Sequence, residues 1–464
     1  MMKLFYCLLI FIIGVLVISS CKEDDHGLVD ERNRESAHTN TLRTPDRRGN
    51  NTINDLTWKG KELNIEWKTN LGGEYEDYAR SVLQTTDGGY VVAGSSNSFN
   101  GPMPVEEWDY WITKLDAGGG LIWEVILGGS QDDHANCIQQ TSDDGYIIAG
   151  HTNSSDGDVG GNNGSEDYWI TKLDATGALI WEANVGGSSS DVANAIQQTA
   201  DGGYIVAGGS VSSDGDVGGN LGGWDYWIVR LTSDGTLKWE TNLGGSSADM
   251  AHDVQQTADG GYIVGGYSFS ANGDVGGNNG GGDYWVVKLN VAGNLEWESN
   301  LGGSAEDFGR AIQQTTDGGY IVAGYSYSSN GDVGANNGNS DYWIVKLNAF
   351  GNLEWETNLG GSGNDVLLDI QQTSDDGYIL AGRSYSSDGD VGGNQGAVDY
   401  WIAKLGPAGN LAWEANLGGS GYDTASAIQQ TADGGYIIAG FAISSDGDVE
   451  NNNGGADYWV IKLQ

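Results

Sequence analysis

The sequence predicts an all-β fold, a seven-bladed β-propeller of four-stranded antiparallel blades. Three observations predict it. A set of motifs recurs seven times, mostly 58 residues apart. Each repeat holds four short strand-like runs divided by turn residues. The two ends of the repeat array complement each other.

The repeat is read from its fixed points. "DGGY" or "DDGY" places Tyr90, Tyr146, Tyr204, Tyr262, Tyr320, Tyr378 and Tyr436. "DYW" places Trp111, Trp169, Trp227, Trp285, Trp343, Trp401 and Trp459. A third tryptophan, in segments such as "LIWE", falls at Trp67, Trp123, Trp181, Trp239, Trp297, Trp355 and Trp413. The first copy is two residues shorter, in the loop "NSFNGPMPVEEW".

Within 185–242 the four runs are "DVANAIQQT" (strand A), "GYIVAGGS" (B), "DYWIVRL" (C) and "LKWETNL" (D). Each is rich in β-branched or aromatic residues. "ADGG" and "TSDGT" supply tight turns between A and B and between C and D. A β-helix needs far shorter repeats, and a helical solenoid needs a 3.6-residue period that is absent.

The ends give an independent check. The array finishes at "DYWVIKLQ", a strand C with no strand D, and starts at "KELNIEWKTN" (61–70), a strand D with nothing before it. Residues 417–464 and 61–70 together make one 58-residue repeat. Pairing them closes the ring and removes two sheet edges.

Composition agrees. Gly is 77 of 464 residues and Pro only 4, without a collagen period. The 17 Trp and 22 Tyr argue against a disordered chain. Residues 1–70 are charge-neutral, and 71–464 carry the whole −43. Such a body repels phosphate backbones, which argues against a nucleic-acid partner. The same charge also serves solubility alone.

The N-terminal "MMKLFYCLLIFIIGVLVISSC" has a basic start, an apolar run and small residues before Cys21. Its "VISSC" ending resembles the lipobox of bacterial lipoproteins. That resemblance implies a signal peptide over 1–20 and lipidation of Cys21. The following "KEDD" resembles the Lys-plus-acid export signal of Bacteroidetes surface lipoproteins, which implies an outer-membrane lipoprotein exposed at the cell surface. Residues 21–60 read as a flexible tether to a propeller over 61–464. Cys137 then stands alone and reads as a small buried hydrophobe.

The repeats, "T-x-DGGYI-x-AG … DYW-x-x-KL", resemble those of secreted and lipid-anchored β-propeller proteins of Bacteroidetes. The resemblance covers roughly 61–464 and implies a propeller without implying an enzyme. "KLDATGALIWE" is similar to the tryptophan-docking motif of quinoprotein propellers, one residue shorter. It reads as packing of the outer hairpin.

Strand parity puts the B–C loop ("DGDVGGNNG") and the D–A loop ("LGGSSSD") of every blade on one face, where loops on a rigid scaffold carry function. In the B–C loop Asp156, Asp158, Asn162 and Asp167 occupy positions 1, 3, 7 and 12 of a twelve-residue window. Calcium loops place oxygen ligands at such spacings. The equivalent sets are Asp214/Asp216/Asn220/Asp225, Asn272/Asp274/Asn278/Asp283, Asn330/Asp332/Asn336/Asp341 and Asp388/Asp390/Asn394/Asp399. The last blade has Asp446, Asp448, Glu450, Asn452 and Asp457; the first keeps only Asp109. Ca²⁺ binding and Asp/Asn turn chemistry both fit this pattern. A second acid recurs in the D–A loop: Asp77, Asp133, Asp191, Asp249, Asp307, Asp365 and Asp423. It is either a carboxylate ring on a binding face or a turn brace.

Strand C carries a repeated cation (Lys114, Lys172, Arg230, Lys288, Lys346, Lys404, Lys462), and Glu follows the strand D tryptophan in six blades. A cross-strand ion pair is expected between them. Lys68 stands in the Glu position of the closing strand, so that seam is expected to be weak. No Cys/His zinc spacing appears, and His134, His151 and His252 form no repeated or paired set. Tyr267, Tyr325, Tyr327, Tyr385 and Trp224 lie near the loop face, available to a sugar or to packing between blades.

The function these residues indicate is a non-catalytic, lipid-anchored cell-surface propeller. It binds a protein or glycan through its acidic loop face, with calcium as a candidate stabiliser and a monomeric ring. Two alternatives stand beside it. A propeller enzyme of hydrolase, lyase or quinoprotein type is marked by acids unique to one or two blades. A structural scaffold of an envelope complex is marked by a large apolar patch on the rim.

Overall fold

In a computed structural model, residues 56–58, 61–98 and 107–464 are described. The signal peptide, Cys21 and nearly all of the expected tether lie outside them. The architecture is the predicted one, seven four-stranded antiparallel sheets. Blade 3 shows the pattern: A is Asp191–Gln198, B is Tyr204–Ser210, C is Asp225–Leu231 and D is Leu237–Leu243. The A strands of consecutive blades touch one another all the way round, so A is innermost.

Closure is as expected. Ile65–Leu71 pairs with Asp457–Leu463 as strand D of blade 7. The start differs. Lys61–Leu63 does not extend that strand but pairs antiparallel with Leu56–Trp58 in a separate two-stranded sheet. The first described strand lies before residue 61.

The blade order follows from alternation and turn chemistry. Strands B and C are buried along nearly their whole length, because each packs between neighbouring blades. Strand D is half-exposed on the rim. The A–B turn needs a left-handed residue after its Asp. Gly88 supplies it with φ 83°, and where the repeat reads "DDG" Asp144 and Asp376 take φ 63° and 62°. Asp tolerates that region better than most residues.

Three belts tie blade to blade. In the first, the tyrosine of "DYW" donates its hydroxyl to the carbonyl of the next blade's "DYW" tryptophan. Tyr110 reaches Trp169 at 2.9 Å, Tyr226 reaches Trp285 at 2.8 Å, and Tyr458 reaches Trp111 at 2.9 Å, which completes the cycle. The same rings pack at about 4.5 Å between centroids in blades 1 and 2. Both residues are fully buried, so each bond satisfies a hydroxyl that water cannot reach.

The second and third belts come from "QQT". The first Gln side chain accepts the main-chain N–H of the second Gln in the next blade, as Gln139 does from Gln198 and Gln197 does from Gln256. Leu83 replaces that Gln in blade 1 and interrupts this belt. The second Gln reaches the other way. Its side chain accepts a turn N–H of the preceding blade, from Thr86 to Gln140 through to Ala432 to Gln84. The free edge of each inner strand is thereby covered by side chains.

The expected Lys–Glu pair is corrected. A bulge between Lys172 and Leu173 sets Lys172 opposite Trp181 and Thr171 opposite Glu182. The buried cation therefore pairs with the A–B turn aspartate: Lys114 with Asp87 at 2.9 Å, Lys172 with Asp143 at 3.1 Å, Lys462 with Asp433 at 3.1 Å. The Glu instead accepts the indole N–H of the "DYW" tryptophan, as Glu182 does from Trp169 at 3.1 Å.

At the seam, Lys68 has partners of its own. Lys68 pairs with Glu450 at 3.0 Å and donates to the Asp448 carbonyl at 2.7 Å. Glu450 occupies the position that is Gly160 in blade 2, beside Glu182. Blade 7 has exchanged a Gly/Glu combination for a Glu/Lys one. The exchange leaves the indole N–H of Trp459 buried without a hydrogen-bond partner.

Two outcomes follow. In a double-mutant cycle followed by denaturant unfolding, Lys68→Glu and Glu450→Gly should couple favourably by about 1 kcal/mol, because together they rebuild the bond to Trp459. Strict additivity would contradict this. Tyr226→Phe should cost about 1 kcal/mol by removing a buried hydrogen bond to the Trp285 carbonyl. A loss below a few tenths would show that the hydroxyl belt contributes little.

Candidate functional site

The loop face is built from the D–A and B–C loops, and the recurrent acids join them. Asp133 accepts the Gly129 N–H at 2.8 Å and the Ser154 hydroxyl at 3.0 Å, with a further bond from Thr152. Asp249 repeats this with Gly245, Ser270 and Ser268. All seven D–A aspartates (Asp77, Asp133, Asp191, Asp249, Asp307, Asp365, Asp423) are fully buried. They are internal braces between two loops, not a carboxylate ring open to a partner.

The twelve-residue windows behave similarly. Asp156 accepts the Ser130 N–H at 2.8 Å, and Asp158 faces the Gly128 N–H at 3.4 Å. Asn162 donates to the Thr152 and Ser165 carbonyls and accepts from Gly164. Asp167 accepts the Asn163 N–H at 2.6 Å. The pattern repeats at Asp214, Asp216, Asn220 and Asp225. It repeats at Asn272, Asp274, Asn278 and Asp283, and at Asn330, Asp332, Asn336 and Asp341. It holds again at Asp388, Asp390, Asn394 and Asp399, and at Asp446, Asp448, Asn452 and Asp457. Glu450 is held by Lys68.

Each side chain points to a different main-chain group. Among the described residues no three acidic, His or Cys groups converge in a metal geometry. A calcium ion requires six to eight oxygens around one point.

The last acid of each window meets the D–A acid of the next blade. A Cβ on Gly186 would lie 2.3 Å from Asp167 Oδ1 and 2.8 Å from Asp191 Oδ2, so only glycine fits between them. Asp167 Oδ1 is buried with no hydrogen-bond partner. Burial, then the neighbouring Asp191 and Asp216 charges, push the Asp167 carboxyl up to about 6, against one helpful bond from Asn163. Burial likewise raises Asp225 to about 7 and Asp399 to about 6.

The asymmetric part of this face lies further in. The second residue of strand A faces the sixth of strand B. These pairs are Tyr78/Ser95, His134/His151, Val192/Gly209, Met250/Tyr267, Phe308/Tyr325, Val366/Arg383 and Thr424/Phe441. Most strand positions repeat from blade to blade, and this one does not. Aromatic contacts run through it: Tyr267–Phe308 at 4.9 Å, Phe308–Tyr325 at 5.2 Å, Tyr422–Phe441 stacked at 6.1 Å, Phe441–Tyr78 at 4.7 Å and Tyr78–Trp108 stacked at 5.2 Å. Trp108 continues to His134, and His134 to His151. Tyr327 and Tyr385 stand at its outer edge, 41% and 44% exposed.

Cations gather there too. Of the 11 Lys and Arg in 71–464, seven serve the turn pairs, and the rest are Arg80, Lys238, Arg310 and Arg383. Lys238 joins the Asp201 pair on the hairpin face at 3.6 Å. The three arginines all lie on inner strands A or B. Arg310 donates to the Tyr325 hydroxyl at 3.2 Å, lies over that ring, and is 3.2 Å from His252 Nε2. Arg383 lies 5.8 Å from the Tyr422 ring centre, and its Nε is buried with no hydrogen-bond partner.

The sequence singled out Tyr267, Tyr325, Tyr327, Tyr385 and Trp224, and the structure draws the four tyrosines into this girdle. Trp224 packs at Gly209 beside Met250, two members of the same column, on blades 3 and 4. The arginines and the His134/His151 pair were missed. The signal that finds them is the repeat column that varies most.

Two inner-strand acids are unique to their blades, Asp253 and Asp369. Both carboxyls accept main-chain N–H groups, from Val254 and Ile312 and from Ile370 and Ile428. They cap the inner-strand edge, and burial together with the Asp253 charge raises Asp369 to about 7.

The buried acids set a pH dependence. A folded pKa raised above the unfolded 3.8 means that folding takes up protons, so stability grows as pH falls through 7 and 6. The turn aspartates act oppositely. Burial raises Asp87, but bonds from Thr85, Gly89 and Lys114 hold it at about 2. Its contribution is lost as pH falls from the unfolded value toward 2. The melting midpoint should therefore peak at roughly pH 4–5 and fall on both sides. Millimolar Ca²⁺ should leave the midpoint at pH 7.5 unchanged. A stability maximum above pH 7, or a saturable calcium shift, would contradict this.

No family model matches the chain. Among curated proteins, it is 23% identical over 428 residues to the regulatory protein FlaEY of Caulobacter vibrioides, covering 80% of this chain. The matched region spans 43% of that protein's length. Among solved structures, BamB from Moraxella catarrhalis is 16% identical with TM-score 0.38, covering 85% of each chain. The Pan2 WD40 domain of Neurospora crassa is 9% identical with TM-score 0.45, covering 85% of this chain and 95% of that one. A Bacteroides caccae protein of unknown function is 12% identical with TM-score 0.39, covering 70% of this chain and 93% of that one.

Proposed function

We propose that this chain is a non-catalytic, lipid-anchored cell-surface propeller that binds a protein or glycan through the inner part of its loop face. The observation that carries the binding reading is the girdle. A ligand without sevenfold symmetry needs blade-specific side chains, and the girdle concentrates them in rings and arginines. The acids at this face are engaged as loop braces, which favours binding over acid–base chemistry. The anchor rests on the lipobox-like "VISSC" ending at Cys21.

The test uses the full chain expressed in a Gram-negative host. Labelled palmitate should enter the protein, Cys21→Ala should abolish the label, and protease added to whole cells should remove the propeller. Equal labelling of the variant would overturn the anchor. Resistance in intact cells with cleavage after lysis would overturn surface exposure. The detergent-purified chain, screened on glycan and protein arrays, should retain a ligand that Tyr385→Ala releases. Binding unaffected by any girdle substitution would overturn the site.

A further inference from the structure

The girdle is uneven. Its exposed rings, Tyr327 and Tyr385, lie on blades 5 and 6, and its two ring-stacked arginines are on the same blades. Tyr422, from the D–A loop of blade 7, closes the patch against Tyr385. Arg310 is already tied to Tyr325 and faces His252. Arg383 makes no hydrogen bond or ion pair among the described residues, and one of its donors is buried. A buried guanidinium donor is costly to leave unmatched. In a chain of net charge −43, with 64 acids to draw on, none is placed against it.

We propose, resting on the binding reading above, that Arg383 is the carboxylate-binding residue of a sugar subsite whose walls are Tyr385, Tyr422 and Tyr327. The ligand class is a glycan whose recognised unit carries a carboxylate, a uronate-type sugar. The guanidinium fork matches a carboxylate with two parallel bonds. The phenol rings offer flat apolar faces to the C–H side of a pyranose and hydroxyls to its rim. The surroundings set the charge density. Asp388 and Asp446 are exposed on the same face, so a ligand with many closely spaced negative charges is repelled. One carboxylate per recognised unit suits the patch, and a strongly acidic peptide does not.

The probes are methyl β-D-glucuronide and methyl β-D-glucoside, titrated into the detergent-purified full chain at low and at physiological salt. The glucuronide should bind about tenfold or more tighter than the glucoside, with the gap narrowing as salt rises. Arg383→Met should abolish the difference while leaving the melting midpoint in place. Tyr385→Ala should weaken both sugars. Equal binding of the two sugars, lost in Tyr385→Ala, would overturn the carboxylate assignment and leave glycan binding standing. Binding of an Asp/Glu peptide but of neither sugar would overturn the sugar assignment and leave a protein-binding face. Binding of none of the three, together with array binding that ignores every girdle substitution, would remove both the inference and the reading it rests on.

Discussion

Each blade hides its middle strands between two neighbours, and the hydroxyl of one tyrosine fixes how those neighbours meet. The Tyr-to-Trp carbonyl bond is made seven times and closes on itself at Tyr458 and Trp111. Because both partners are fully buried, a blade cannot slide against the next without stranding a hydroxyl. The glutamine belts apply the same logic at the axis, covering strand edges that would otherwise invite pairing. The outer Trp–Glu bond and the cation–turn pair then organise each blade internally. Stability is distributed around the ring, and the loop face is left as a rigid platform.

That platform separates two kinds of residue. Repeated acids on it are structural: they hold the D–A loop against the B–C loop and meet in close carboxyl pairs across glycines such as Gly186. Their abundance makes the chain acidic. Non-repeated residues, the rings and arginines of the inner strands, break the symmetry. A sevenfold scaffold binds a ligand lacking that symmetry only through such positions, so function is sought where the repeat is least faithful.

The repeat period, the four strands, the hairpin turns and the closing strand were legible because they rest on local patterns that recur seven times. What was not legible depended on register and on contacts between repeats. Lys172 and Glu182 sit on adjacent strands, yet the bulge after Lys172 turns them to different partners. Asp156, Asp158 and Asn162 have calcium-like spacing, but the loop path sends each to a separate main-chain group. Lys68 looked unpaired because its partner, Glu450, lies 382 residues away across the closure. The girdle was only half visible. Its tyrosines stood out singly, while Arg310, Arg383 and the His134/His151 pair acquire meaning only when inner strands of successive blades meet.

Ring closure makes the seven blades one cooperative unit, with the seam held by the Lys68–Glu450 pair in place of the Trp–Glu bond of the other blades. Native-state hydrogen exchange, resolved by peptide, tests it directly. The amides of 65–71 and 457–463 should exchange as slowly as those of Leu237–Leu243 and Asp225–Leu231 in blade 3, with all blades opening together. Early exchange of 65–71 and 457–463 alone, while the other six blades stay protected, would contradict it.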